Sequence, residues 1–190
     1  IKELEGNEVP IVYFTPPSDT SISKFVYQNV PKMLDYYESY YGQYPFEKVG
    51  YVNTPEGNME HQTMIFMESD FLGRIYFEKD ANNNTIAHEL SHQWFGDMVT
   101  PYDFRDSWLN ESFAVFSEAL WNERLGFENY LSYLEDSMKE YFYIAINHEG
   151  ALSIYDYDRQ TVTGNYPYAI YNKGGLVLSM LRWKLGDEVF

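Results

Sequence analysis

Two histidines spaced four positions apart, His88 and His92, constrain this chain more than any other feature of its sequence. They begin and end the segment HELSH at positions 88–92, and residues at this spacing lie on one face of a helix. Both imidazoles could then bind a single metal ion, and zinc in particular favours such nitrogen ligands. Glu89 follows the first histidine directly and could act as a general base beside the ion. The segment therefore predicts a helix with a zinc site.

The same pattern also occurs on ordinary surface helices, so the surrounding sequence has to decide between the two interpretations. Residues 85–95 are largely apolar around the motif, which predicts a partly buried helix where histidines need a partner to offset their desolvation. Glu111, in the segment WLNESFA at 108–114, lies near the start of the next predicted helix and offers a carboxylate as third ligand. Three protein ligands leave a fourth position for water, as in catalytic zinc sites.

Glu118 lies two helical turns after Glu111 and therefore on the same face of that predicted helix. It could accept a hydrogen bond from a ligand histidine and so orient the ring. A carboxylate on a helix is as often a solvated surface group. Both interpretations of Glu118 stay open.

The residues after His92 separate two classes of zinc peptidase. One class has a glycine three positions after the second histidine and another histidine three positions further on. Phe95 and Met98 occupy these positions, which excludes that class. The remaining class takes a glutamate from a later helix as third ligand, and Glu111 fits that pattern.

Three parts of the sequence together resemble the aminopeptidase N family of gluzincin zinc metallopeptidases, which also includes a leukotriene-hydrolase branch. The first is HELSHQWFGDMVT at 88–100 with WLNESFA at 108–114. The others, GNMEH at 57–61 and YNKG at 171–174, are similar to the family's Gly-x-Met-Glu-Asn and Tyr-x-Lys-Gly segments. They occur in the family's order, and the resemblance covers the chain from about Pro10 to Leu185.

The resemblance implies roles for the metal-binding residues and the base. His88, His92 and Glu111 match the ligands of one zinc ion, and Glu89 matches the general base. Glu118 keeps its two interpretations, as a group that orients a ligand or as a solvated carboxylate.

The resemblance also implies roles in substrate binding. Glu60 matches the carboxylate that holds the free amino terminus of a peptide, and Tyr171 matches the phenol that donates a hydrogen bond to the oxyanion. The backbone of Gly57, Asn58 and Met59 would line the cleft as an extended edge for the substrate. Without the resemblance, Glu60 would be interpreted as a turn residue and Tyr171, one of 19 tyrosines, as a packing residue.

The chain departs from the family's usual residues at three positions. His61 stands where asparagine is usual, and a histidine can titrate near neutral pH, so substrate binding could depend on pH. Ser112 replaces the more usual glycine after the third ligand, and Asp97 stands where asparagine is common. Lys173, in the tyrosine motif, is either a solvated lysine or a fixed charge near the site.

Local patterns predict an α+β fold, a small β-sheet followed by a helical lobe, which is the thermolysin-like arrangement that the resemblance also implies. A helix should begin at Ser21 and be interrupted at Pro31, and Gly126 should end a helix. The predicted strands are 11–14, 49–52 and 64–67, and the further predicted helices are 84–97, 110–125, 127–147 and 174–185. We expect residues 1–190 to form a single catalytic domain, excised from a longer multidomain aminopeptidase whose flanking domains are missing.

Composition excludes several classes of protein. A net charge of −16 argues against nucleic acid as a partner, and no apolar run is long enough to cross a membrane. The amino terminus lacks the layout of a signal peptide. Cysteine is absent, which excludes disulfides and thiolate ligands. The compartment stays open.

The sequence thus predicts a zinc-dependent aminopeptidase that hydrolyses the N-terminal bond of peptides with a free amino group. Three alternatives are weaker. A thermolysin-type endopeptidase would have serine and aspartate where Ala114 and Val115 stand. An epoxide hydrolase would need a lipid pocket that no segment indicates. A non-catalytic relative would be expected to lack a ligand or the base, whereas all these positions are filled.

Overall fold

The strands in the described part of the chain all lie in its first half. The computed structural model describes residues 2–4, 7–155 and 166–190, and the chain divides into two units, Ile1–Met98 and Val99–Phe190. In the first unit, β1 (Lys2–Leu4) and β2 (Asn7–Val9) form an antiparallel pair. The other three strands, β3 (Ile11–Phe14), β4 (Val49–Thr54) and β5 (Ile65–Glu68), form a parallel sheet with β4 in the centre.

Two helices connect β3 to β4, and their boundary confirms the predicted interruption. They are α1 (Thr20–Val26) and α2 (Val30–Tyr41). Pro31 occupies the second position of α2, where its missing N–H is not needed by the helix. The apolar stripe Met33, Leu34 and Tyr37 is fully buried, as the helical spacing predicts.

The connection between β4 and β5 returns along the outer edge of the sheet. Because the two strands are parallel, the chain has to run back between them, and Met59 forms an antiparallel bridge with Phe66 on the way. The two backbone hydrogen bonds of this bridge measure 3.1 and 2.9 Å. Further along the same connection, the Thr63 carbonyl approaches Gly50 so closely that a Cβ atom at Gly50 would overlap it. A glycine is therefore required in the central strand.

Helices follow the sheet. In the first unit these are α3 (Ser69–Glu78) and α4 (Asn84–Ser91). The second unit has α5 (Trp108–Leu125), α6 (Phe127–Glu140), the short α7 (Ile146–His148) and α8 (Gly174–Leu185). Two π-helical turns, Tyr141–Ala145 and Ala169–Lys173, precede α7 and α8. The α+β fold class, with a small sheet followed by helices, is confirmed.

The start of α8 packs closely against α5. A Cβ atom at Gly174 would overlap the Ser112 hydroxyl, and one at Gly175 would overlap the side chain of Val115. The two glycines thus allow the backbone of α8 to approach a helix that is itself largely buried. Gly126, with φ +146°, ends α5 as predicted.

Two predicted helix ends were wrong, and two elements were not predicted. The helix predicted at 84–97 ends at Ser91, because the chain turns at 92–94 with bonds such as Trp94 N–H to the Ser91 carbonyl. The helix predicted at 127–147 changes to a π-helical turn after Glu140. Helix α3 and the π-helical turn 169–173 were not predicted. Among the described residues, no helix combines the length and apolar character needed to cross a membrane.

Candidate active site

The two histidines of the motif lie on one face at the end of α4. Asn83 caps the start of this helix, where its side-chain oxygen accepts a hydrogen bond of 2.9 Å from the Thr85 N–H. The helix ends at Ser91, but His92 keeps helical backbone angles (φ −58°, ψ −21°), and its N–H contacts the His88 carbonyl at 3.3 Å. The two imidazole centroids therefore lie 4.7 Å apart, which is close enough for both rings to reach one ion.

A backbone contact determines which nitrogen of His92 is available as a ligand. His92 is 1% exposed, and its Nδ1 lies 2.9 Å from the Phe95 carbonyl oxygen. A carbonyl oxygen only accepts hydrogen bonds, so Nδ1 has to bear the proton. The lone pair is then on Nε2, and a ligand histidine held by a backbone carbonyl through its other nitrogen is typical of metal sites.

Glu89 and Glu60 lie beside His92. Glu89 is buried and Glu60 half-buried. One oxygen of each carboxylate and one ring nitrogen of His92 all lie within 4.8 Å of one another. Two carboxylates this close together create a strongly negative site, which favours a cation between them, either a metal ion or an ammonium group. The sequence analysis predicted both glutamates as site residues, and the structure brings their carboxylates close together.

A residue that the sequence analysis missed, Gln93, holds this arrangement. It is fully buried, and its Nε2 donates to the Glu60 carbonyl at 2.9 Å and to the Asp97 carboxylate at 2.8 Å. Its Oε1 accepts from the Thr63 N–H at 2.9 Å and from the Tyr44 hydroxyl at 3.0 Å. The single side chain thus fixes the Glu60 segment against the end of α4. In the sequence, only the position of Gln93 directly after His92 could have indicated this role.

Asp97 has an unusual acidity. Its pKa is raised to about 6, mainly because the carboxyl is buried and also because the Glu60 carboxylate lies nearby, while His92 opposes the shift. The carboxylate is nevertheless held by the Gln93 amide. Where asparagine is common in the resembled family, this chain therefore has a group that titrates just below neutral pH.

The predicted substrate edge is built by local hydrogen bonds. The backbone N–H of Glu68 donates to the Asn58 side-chain oxygen at 2.9 Å, which ties the 57–59 segment to the end of β5. Gly57 has φ +74°, a conformation that glycine adopts without strain. Met59, 42% exposed, forms the bridge to β5. The role of these residues in binding substrate stays a prediction. His61 is exposed and packs edge-on against Phe66, with ring centroids 4.6 Å apart.

In the second unit, Glu111 and Glu118 lie on α5. Glu111 is in the first turn and is 5% exposed. Glu118 is half-buried, and its Oε2 accepts a hydrogen bond of 3.1 Å from the Tyr133 hydroxyl. Burial and the Glu118 carboxylate together raise the pKa of Tyr133 well above its ordinary value, so this phenol stays a donor. Glu118 is therefore held in place rather than freely solvated, while its contact with a ligand histidine stays a prediction.

Tyr171 lies in the π-helical turn before α8, where it is half-buried. The residues around it are anchored. The Ser112 hydroxyl donates to the Ile170 carbonyl at 2.6 Å, the Asn172 amide donates to the Glu140 carboxylate at 3.0 Å, and the Lys173 ammonium donates to the Leu152 carbonyl at 2.7 Å. Lys173 is thus a fixed lysine rather than a solvated one. Widened π turns in helices often occur at functional sites.

Comparison with known proteins agrees with this description. Residues 25–190 match the Peptidase family M1 domain, and the chain belongs to this family, which confirms the resemblance seen in its motifs. The Probable aminopeptidase 2 of Sulfurisphaera tokodaii is 32% identical over all of this chain and 26% of its own length. The chain therefore spans about a quarter of this relative.

Solved structures show the same fold. An M1 zinc metallopeptidase from Deinococcus radiodurans, solved as a mutant bound to the substrate Tyr-Ser-Ala, superposes with a TM-score of 0.68 at 27% identity, over 84% of this chain and 33% of that chain. Leukotriene A4 hydrolase from Saccharomyces cerevisiae superposes with a TM-score of 0.72 at 21% identity, over 92% of this chain and 29% of that chain. At this lower identity the second comparison supports the fold alone.

Proposed function

We propose that this chain is the catalytic part of a zinc-dependent aminopeptidase, which hydrolyses the N-terminal peptide bond of peptides with a free amino group. Membership of peptidase family M1 supports this activity, and so do relatives named as aminopeptidases, including the Aminopeptidase N of Streptomyces lividans at 28% identity over all of this chain and 24% of its own length.

His88, His92 and Glu111 are the proposed ligands of one zinc ion. The donor set of two imidazoles and a carboxylate suits zinc, and the protonated Nδ1 of His92 supports this assignment because it leaves Nε2 for the metal. A zinc ion held there would supply a Lewis acid that polarises the scissile carbonyl and lowers the pKa of water. Glu118, fixed by Tyr133, is the proposed group that orients a ligand histidine.

Glu89 is the proposed general base. Its carboxylate accepts a proton from the attacking water and then passes the proton to the leaving amine. Its burial supports this role, because a carboxylate with little hydrating water binds a proton more strongly than a fully hydrated one. Tyr171 donates a hydrogen bond to the oxyanion that develops on the scissile carbonyl, and the 57–59 segment provides the edge along which the peptide lies.

The observation that carries the proposal is the closeness of Glu60 to the base. The carboxylates of Glu60 and Glu89 approach within 4.8 Å. The α-ammonium of a bound peptide belongs to the same residue as the first scissile carbonyl, so a carboxylate this near the base can bind that ammonium while the carbonyl is attacked. A charge-assisted pair of this kind requires a free amino terminus, which favours an aminopeptidase over an endopeptidase.

The test compares aminoacyl-arylamide substrates with their N-acetylated forms, with and without a metal chelator. We expect cleavage of the free-amine set alone, and we expect the chelator to abolish it. The Glu60→Gln variant should raise KM for free-amine substrates by about tenfold to a hundredfold, the usual size of a lost charge-assisted bond. Glu56→Gln, an exposed glutamate of the same connection, is the matched control and should leave KM unchanged.

The same assay identifies the alternatives. Equal cleavage of acetylated and free substrates would contradict the role of Glu60 and indicate an endopeptidase. Cleavage that persists after complete removal of the metal would contradict the zinc mechanism.

A further inference from the structure

We propose that Ser112 is a positioning residue, which holds the backbone next to Tyr171 through a hydrogen bond from α5. This inference rests on the proposed function only in assigning Tyr171 to the oxyanion. The contact itself lies within the second unit. It joins the residue directly after Glu111 to the residue directly before Tyr171, so one hydrogen bond connects two neighbours of proposed site residues.

The bond is short and shielded from water. The Ser112 hydroxyl and the Ile170 carbonyl oxygen lie 2.6 Å apart, and the hydroxyl has to be the donor because a carbonyl only accepts. Both residues are fully buried. Water therefore does not compete for the carbonyl, and removal of the serine hydroxyl would leave a buried acceptor without this partner.

The π-helical turn needs such a restraint. A π turn places one extra residue in a helical turn and loses part of the regular hydrogen-bond pattern. In this turn the neighbours of Tyr171 on both sides are held, Ile170 by Ser112 and Asn172 by the Glu140 carboxylate. The chain on both sides of Tyr171 is thus restrained, and this restraint limits the positions that the phenol hydroxyl can take. Misplacement of a catalytic group by about 1 Å can lower a rate a hundredfold.

The space for the serine hydroxyl comes from Gly174. A Cβ atom at that position would overlap the hydroxyl, so the serine and the glycine share one volume between α5 and α8. The hydrogen bond to the turn depends on this pairing of a serine with a glycine, and its loss should slow catalysis without removing a ligand.

The experiment measures kcat and KM for a free-amine substrate in four forms of the protein: wild type, Ser112→Ala, Tyr171→Phe and the double variant. We expect Ser112→Ala to lower kcat about tenfold and to leave KM and the bound zinc unchanged. In the Tyr171→Phe background the same substitution should change kcat less than about twofold, because residues that act as a unit give non-additive effects. An equal loss in both backgrounds would overturn the proposal, since it would reveal a general structural defect.

Ser179→Ala is the matched control. Ser179 is also buried, and its hydroxyl donates to the Gly175 carbonyl within its own helix at 3.0 Å, so this bond involves no residue of the π turn 169–173. We expect this variant to keep the wild-type kcat. If Ser112→Ala does not differ from Ser179→Ala, Ser112 does not position Tyr171.

Hydrogen exchange of the backbone amides at 169–173 gives a second result that does not depend on activity. Ser112→Ala should accelerate this exchange about tenfold or more, and Ser179→Ala should not. Unchanged exchange would overturn the proposal even if the protein were inactive. Faster exchange in Ser112→Ala, combined with a wild-type protein that cleaves no free-amine substrate, would instead contradict the proposed function and keep the serine as the restraint of the turn.

Discussion

The buried amide of Gln93 allows a quantitative prediction for stability and substrate binding together. Replacing it with methionine keeps the length of the side chain and removes four hydrogen bonds. The Thr63 N–H, in a residue that is 9% exposed, would be left buried without this acceptor, at a cost of about 1–3 kcal/mol. The bond to the Asp97 carboxylate contributes about 1.5–3 kcal/mol more, although partial exposure of that group places it near the lower value.

Two effects reduce this sum. The Tyr44 hydroxyl keeps the Lys48 carbonyl as a partner at 2.9 Å, so it adds little to the loss. The apolar methionine also avoids the desolvation cost of an amide. We therefore expect Gln93→Met to lower the free energy of unfolding by about 2–4 kcal/mol.

Urea unfolding, extrapolated linearly to water, measures this difference. Gln28→Met is the matched control, because Gln28 is exposed and, within the described part of the chain, its amide bonds locally to the Phe25 carbonyl. This variant should change stability by less than about 0.5 kcal/mol. At a temperature where the variant is folded, KM for free-amine substrates should rise, because the Glu60 carbonyl loses its tether. A loss of stability below about 1 kcal/mol would refute the reasoning that Gln93 is the central tie of this region.

Three further predictions concern single groups. Glu89→Gln should lower kcat by at least about a hundredfold with unchanged zinc content, measured by kinetics and metal analysis of the same sample. In metal-free protein, the free energy of unfolding of Asp97→Asn should increase relative to wild type as the pH rises from about 4 to 7. The pKa of Asp97 is raised to about 6, so its charged form is disfavoured in the folded state of the wild type. A stability difference between the two proteins that does not change with pH would contradict this. Arg182→Met should lower the free energy of unfolding by about 2–4 kcal/mol, as measured by urea unfolding. The largely buried guanidinium pairs with Glu123 at 2.6 Å, and its removal leaves this partly buried carboxylate without that partner.

The parts of the site that sequence predicted are those defined by side-chain chemistry at a fixed spacing. His88 and His92 share a face because helical geometry places residues four positions apart on the same side. They do so although α4 ends at Ser91, because His92 keeps helical backbone angles. The break before Pro31 was predictable for a similar reason, since proline's missing donor acts locally. Glu60 required the family resemblance, because its surroundings alone indicate a turn.

The missed elements depend on contacts between distant positions. Helix α3 buries only Leu72 and Ile75 within its span, so its apolar stripe is too narrow to recognise. The turn after Ser91 includes the apolar Trp94 and is followed by Phe95, and the nearest glycine, Gly96 (φ +130°), lies beyond the turn and does not mark its start. The π turn at 169–173 is fixed by partners such as Ser112, far away in the sequence. No local sequence pattern indicates such a distant partner.

The shared volume of Ser112 and Gly174 also restricts how these positions can change over evolutionary time. A side chain at position 174 is incompatible with the serine hydroxyl, whereas a Cβ atom there would lie 3.6 Å from the α-carbon of residue 112, an ordinary contact. With glycine at 112, an alanine at 174 would therefore be accommodated. Substitutions should consequently accumulate in one order, in which Ser112 is lost before any residue replaces Gly174, and a lineage that has gained a side chain at 174 should no longer be able to acquire the serine.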